Sequence, residues 1–190
     1  MSTFEYIVGI HTIVLGLAMA YLLTTTTDTI KFRKSIRHYW VHTAWSIVLQ
    51  FLLIGWWYGL WRSLHDEASV SYVGFLREFA FTLALFMAVR FLVVDIERSQ
   101  SVDLKAHFTQ IRVPFFICLA IPYVLFLSFG WWNSDETGTP IGDIVAFIIQ
   151  IGIPIAGALI ANERAQAAFV LVYGFTYLGV EFQQYGVGIG

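Results

Sequence analysis

The chain has 190 residues, of which 58% are hydrophobic and only 13% are charged, and its formal net charge is −2. Soluble domains carry about 25% charged residues, so this composition excludes a water-soluble globular protein and predicts an integral membrane protein. The charge excludes a nucleic-acid partner, because no basic surface large enough to follow a phosphate backbone is available. Cys118 is the only cysteine, which excludes an intrachain disulfide and a thiolate metal cluster.

Long apolar runs predict the architecture, because a helix needs about 20 apolar residues to cross a bilayer. We predict an all-α, polytopic membrane helix bundle with six transmembrane helices that forms a single domain over residues 1–190. The six predicted spans are residues 6–25, 39–61, 71–94, 113–132, 141–161 and 165–185. Before the fourth span, Leu104, Phe108 and Ile111 fall at helical spacing. We expect a short amphipathic stretch there that leads into the span, with Pro114 near the start of the span.

The basic residues predict the orientation of the bundle. Eight of the eleven Lys and Arg residues follow spans one, three and five, whereas the opposite side has only Arg62 and two more lie inside the third span. The eight are Lys31, Arg33, Lys34, Arg37, Arg98, Lys105, Arg112 and Arg164. Because Lys and Arg accumulate on the cytoplasmic side of membrane proteins, both termini are predicted to be non-cytoplasmic.

The third predicted span, residues 71–94, carries three charged side chains within its apolar run: Arg77, Glu78 and Arg90. A charged residue at the centre of a membrane helix costs roughly 2.5–3.5 kcal/mol on insertion scales. We therefore expect these side chains to turn away from lipid, towards protein, water or each other. The other spans are expected to form the wall around this helix.

On the outer side, the residues that could move an ion or a proton are His11, Arg77, Glu78 and Glu181. His11 and Arg77 are the candidate partners of Glu78. A Glu–His pair next to an aqueous vestibule would form a proton or cation relay. The alternative is a buried, hydrogen-bonded pair that fixes how the helices pack.

On the inner side, His38, His42, Arg90 and Asp95 form a second polar cluster. His38 and His42 are four residues apart and are expected on one face of the second span. That spacing can hold a metal or a haem, but two more ligands would be needed, and Asp95 and His107 are at the right depth to supply them. The alternative is that these histidines are ordinary amphipathic residues at headgroup level and that Arg90 extends to the headgroups. Neither a metal site nor a cofactor is predicted.

Three stretches, GLAMAYLL, YWVHTAWSIVLQF and WWYGLW, resemble segments of small multi-pass bacterial inner-membrane proteins of uncharacterised function. The resemblance covers roughly the first third of the chain. It implies a bacterial inner (plasma) membrane and no particular activity.

Three classes of function follow from these residues. The first is a small channel or transporter that moves protons or small ions along the polar cluster, as an oligomer with a pathway between protomers. The alternative is a non-catalytic membrane sensor or an assembly subunit of a larger complex, and the second alternative is a His-based membrane redox protein or enzyme. The chain has no Walker A, HExxH or GxSxG motif, which favours a non-enzymatic function. The expected partners are the lipid bilayer and either further copies of the chain or a partner membrane protein.

Overall fold

The computed structural model describes residues 3–65, 71–94, 101–128 and 141–185. Within these ranges the fold is all-α, as the sequence predicts, apart from two very short strands. The helices are α1 (Thr3–Lys31), α2 (Trp40–His65), α3 (Tyr72–Leu92), α4 (Leu104–Ser128), α5 (Ile141–Leu159) and α6 (Glu163–Tyr185). The strands are β1 (Ile36–Arg37), which precedes α2, and β2 (Val102–Asp103), which precedes α4.

Four helices in the described ranges are long and apolar enough to cross a membrane. The corresponding segments are Glu5–Lys31, Trp40–Arg62, Tyr72–Leu92 and Leu104–Leu125. Helix α5 contributes a shorter apolar segment, Phe147–Leu159. These helices, together with the composition, identify a membrane protein.

The start of α4 differs from the prediction. The amphipathic stretch before the fourth predicted span is helical, but it is continuous with the span, so Pro114 lies inside α4 rather than near its start. Asp103 fixes the true start, because its Oδ1 atom accepts hydrogen bonds from the backbone N–H groups of Lys105 and Ala106 at 2.9 and 3.1 Å. Leu104 is fully buried and holds this first turn against the bundle.

The bundle packs around an aromatic centre. Helix α3 packs against α1 and α4, α5 against α4 and α6, and α2 against α1 and α6. Trp45 of α2 is fully buried, and its ring lies 5.4, 5.3 and 5.3 Å from the rings of Phe115, Phe116 and Tyr173. The Phe115 and Phe116 rings of α4 meet Trp45 edge-to-face, an arrangement that aromatic pairs prefer, and the Tyr173 ring of α6 is tilted against it. Trp45 therefore joins three helices at one point.

One end of the bundle is tied together by polar contacts. Strands β1 and β2 pair in parallel, and Arg37 forms a 3.1 Å ion pair with Asp103 beside them. Lys105, at the start of α4, forms an ion pair with Glu163 at the start of α6. We refer to this end as the basic end, because it carries the side chains of Lys31, Arg33, Lys34, Arg37, Lys105 and Arg164.

Candidate functional site

The first two turns of α3 carry an ion pair between adjacent residues. The Nε and Nη2 atoms of Arg77 both donate to Oε1 of Glu78, with an Nε–Oε1 distance of 2.9 Å. The Glu78 side chain is 15% exposed and the Arg77 side chain is 38% exposed. The pair lies five to six residues after Tyr72, so it is roughly 8 Å from the start of α3, near one membrane surface. Arg77 is therefore the partner that the structure gives to Glu78.

His11 contacts α3 but forms no described contact with Glu78. Its ring is 0% exposed and lies edge-on to Phe75 and Phe79, with centroid distances of 6.1 and 5.7 Å. The Nδ1 atom bonds at 2.8 Å to the carbonyl oxygen of Ile7, so this nitrogen carries the proton. The Nε2 atom is buried and has no hydrogen-bond partner in the described protein. His11 thus sits in a dry aromatic contact, and the expected contact with Glu78 is absent from the described bonds.

Two predicted site residues cannot be placed. Asp95 lies outside the described residues, and so does the side chain of Glu181, whose backbone belongs to α6. Their roles in the inner cluster and in the outer pathway stay predictions.

Near the basic end of the bundle, His42 and His107 both contact the end of α3. The Nε2 atom of His42 bonds at 2.9 Å to the carbonyl oxygen of Leu92, and Nε2 of His107 bonds at 3.1 Å to that of Phe91. Because a carbonyl only accepts, both Nε2 atoms must donate. The last carbonyls of a helix have no partner within that helix, so these histidines supply the missing donors. The two rings are 6.0 Å apart, and they link α2 and α4 to α3.

The expectation that His38 and His42 share one helix face is wrong. Helix α2 begins at Trp40, so His38 precedes it and the four-residue helical spacing does not apply. His38 is exposed, whereas His42 is buried. Within the described ranges there is no group of three or more His, Cys, Asp or Glu residues that could hold a metal ion.

Arg90 is exposed, contrary to the expectation that all three charges of the third span turn inward. Its guanidinium carbon lies 4.4 Å from the centre of the Tyr21 ring on α1, a cation–π geometry. Arg90 is in the last turn of α3, where a positive charge is also favoured by the helix dipole. The position close to a helix end allows this charge to extend to headgroup level.

Three side chains form hydrogen bonds to a neighbouring helix, or to the residue that follows it, that the sequence did not predict. Nε1 of Trp56 donates to Thr82 at 2.9 Å, and Nε1 of Trp57 donates to Thr12 at 3.0 Å. Gln166 is buried and donates to the carbonyl oxygens at the end of α5, of Gly157 at 3.0 Å and Ile160 at 2.6 Å. The tryptophans gave no separate signal, because interfacial Trp is common in membrane proteins. Gln166 could have been noticed as a polar side chain inside an apolar helix.

The basic end has its own electrostatic feature outside the spans. The pKa of Asp103 lies below its ordinary value of 3.8, chiefly because the backbone N–H of Ala106 donates to it, with further contributions from Lys105 N–H and Arg37. An open depression of about 460 Å³ adjoins it and is lined by residues of the two strands and their neighbours. This end therefore presents fixed charges to the aqueous phase.

Comparisons with protein-family models, with curated proteins and with solved structures found no match to this chain. The contacts described above are therefore the basis for inferring a function.

Proposed function

We propose that the protein is a non-catalytic membrane subunit that assembles with further copies of itself or with a partner membrane protein. The observation that supports this function is the use of its polar side chains inside the bundle. His42, His107, Trp56, Trp57 and Gln166 each donate to an oxygen atom of a neighbouring helix or of the segment that follows it. Groups held in this way specify helix packing and are not free to carry a substrate or a proton.

In this proposal all six helices cross a bacterial inner membrane, with both termini on the non-cytoplasmic side. The gathering of basic side chains at one end of the bundle supports this orientation. The packing of α6 against α2 and α5 supports the inclusion of the last helix in the membrane region. The resemblance of the first third of the chain to bacterial multi-pass proteins supports the choice of membrane.

Cysteine labelling in intact cells tests the orientation. In a Cys118→Ser background, Lys34→Cys is expected to be protected from a membrane-impermeant maleimide, whereas Arg62→Cys is expected to react. The reverse pattern would overturn the assigned orientation.

Assembly is tested on the full-length protein extracted in a mild detergent. Size-exclusion chromatography with light scattering is expected to give a mass above the 21.6 kDa of one chain, or a second protein at a fixed ratio. Liposomes that contain the purified protein are expected to show no proton flux above that of empty liposomes. A monodisperse monomer that co-purifies with no other protein would contradict the proposal.

A second candidate function is the movement of protons or small ions between protomers. It is favoured by the Arg77–Glu78 pair, which is partly exposed on the surface of the bundle, where a neighbouring protomer could cover it. Proton flux in liposomes would then fall strongly in Glu78→Gln. It would stay unchanged in Glu163→Gln, which replaces an exposed carboxylate at the other end of the bundle. Equal flux from wild type and Glu78→Gln would remove Glu78 from any such pathway.

A further inference from the structure

Arg112 is a charged side chain inside a membrane-spanning helix, and the described protein gives it no partner. Its Nε and Nη1 atoms are buried without a hydrogen-bond acceptor, although the residue as a whole is only half-buried. It is eight residues past Leu104, so it lies roughly 12 Å along α4 from the basic end. A buried donor that lacks an acceptor destabilises the folded state, so we expect an acceptor from outside the described residues.

The neighbours of Arg112 show which side of α4 it occupies. Lys105, Thr109, Arg112 and Phe116 are spaced so that they fall on one helix face. Lys105 pairs with Glu163 of α6, and the Phe116 ring packs against Gly157 of α5, so this face is directed towards α5 and α6. The carboxylate of Glu163 is already engaged by Lys105.

The surface of α4 between the basic end and Arg112 is polar. Lys105 and Thr109 precede it on the same face, and both are exposed. The Lys105 side chain is 45% exposed despite its ion pair. A charged headgroup can therefore approach Arg112 along polar side chains, while its acyl chains remain beside the apolar surface of the bundle.

We propose that Arg112 binds the phosphate group of an anionic phospholipid from the leaflet at the basic end. A guanidinium presents a planar fork of N–H donors that matches phosphate oxygens, and such charge-assisted bonds are short and strong. The basic side chains at this end attract anionic lipids to the surrounding membrane. This partner supplies the acceptor that the described protein lacks. It is independent of the assembly role proposed above.

Lipid titration of the purified full-length protein in a neutral detergent tests the proposal. Phosphatidylglycerol is expected to raise the Tm in a saturable way, phosphatidylcholine to raise it less, and inorganic phosphate to leave it unchanged. Arg112→Gln is expected to weaken the apparent affinity for phosphatidylglycerol at least about tenfold, because it removes the charge-assisted bonds. The matched control is Arg164→Gln, which removes an equal charge from an exposed side chain at the same end and should change the affinity by at most about fivefold, less than Arg112→Gln.

Stability without lipid provides a second measurement. In lipid-free detergent, Arg112→Met is expected to be at least as stable as the wild type, since it removes two donors that have no partner. A clear loss of stability there would indicate an internal structural role and overturn the proposal. If Arg112→Gln does not fold, Arg112→Lys takes its place, because it keeps the charge, loses the fork and should also bind the lipid more weakly.

Three other outcomes would also overturn the proposal. An equal loss of lipid affinity in Arg112→Gln and Arg164→Gln would assign the effect to the overall charge of the basic end. Stabilisation by inorganic phosphate as strong as that by phosphatidylglycerol would identify a free anion as the ligand. Loss of a co-purifying protein in Arg112→Gln, without any lipid dependence, would assign Arg112 to a carboxylate of a partner protein.

Discussion

Replacing Gly157 by alanine tests how closely α4 and α5 approach each other. A Cβ atom at this position would lie 2.6, 2.7 and 2.7 Å from three atoms of the Phe116 ring. The ring has little room to move, because Trp45, Phe115 and Phe108 surround it at centroid distances of 5.3, 5.1 and 6.4 Å. Overpacking of this kind costs about 1–3 kcal/mol, and the better helix propensity of alanine offsets about 0.8–1.0 kcal/mol of it. We therefore expect Gly157→Ala to lower the free energy of unfolding by up to about 2 kcal/mol.

The matched control is Gly152→Ala in the same helix. A Cβ atom there meets nothing within 4 Å, so this variant is expected to be neutral or stabilised by up to about 1 kcal/mol. Both variants are compared with the wild type by unfolding in detergent, in the wild-type and the Phe116→Ala backgrounds. The penalty at Gly157 should disappear when the ring is removed, which appears as a coupling free energy in a double-mutant cycle. Equal effects of Gly157→Ala and Gly152→Ala would refute the close approach of the two helices.

Three further predictions concern the polar contacts of single side chains. His42→Leu leaves the Leu92 carbonyl at the end of α3 without its donor and should reduce the stability by about 1–3 kcal/mol in the same unfolding assay. An unchanged midpoint of unfolding would contradict the capping role of His42. Trp56→Phe loses the bond to Thr82 and should reduce the stability by about 0.5–1.5 kcal/mol. Trp56→Leu should reduce it further, because it also removes an aromatic ring stacked on Phe81. Equal losses of stability in the two variants would contradict this prediction. The lowered pKa of Asp103 means that its stabilising contribution is complete above the ordinary value of 3.8 and is lost as the pH falls through the lower pKa of the folded state. Asp103→Asn keeps the helix-capping oxygen and should lose less stability below about pH 4 than the wild type, whereas parallel Tm–pH curves would count against this assignment.

The helices could be predicted from the sequence because hydropathy depends on the local run of residues. Their ends could not, because they depend on caps and on contacts at headgroup level. Helix α2 continues to His65, four residues beyond its predicted end, and α4 begins nine residues before its predicted start. Asp103 decides the start of α4, and a cap of this kind does not contribute to an apolar run.

The candidate site was less predictable, because the depth of a residue in the membrane does not specify the direction of its side chain. His11 and Glu78 were placed at similar depth, but His11 meets Phe75 and Phe79, which lie one turn apart on the same face of α3. Successive residues on a helix point about 100° apart, so Glu78 lies to one side of Phe79 and bonds to Arg77 instead. The partner of His42 is a backbone carbonyl, which has no signature in the sequence.

The pairing of β1 with β2 sets an order of events during synthesis of the protein. Its ion pair joins residues 66 positions apart, and the chain between them contains the whole of α2 and α3. The ribosome synthesises β1 before β2, so α1, α2 and α3 are complete before β1 can pair with β2. The contacts at this end can therefore form only after the first residues of α4 have been synthesised.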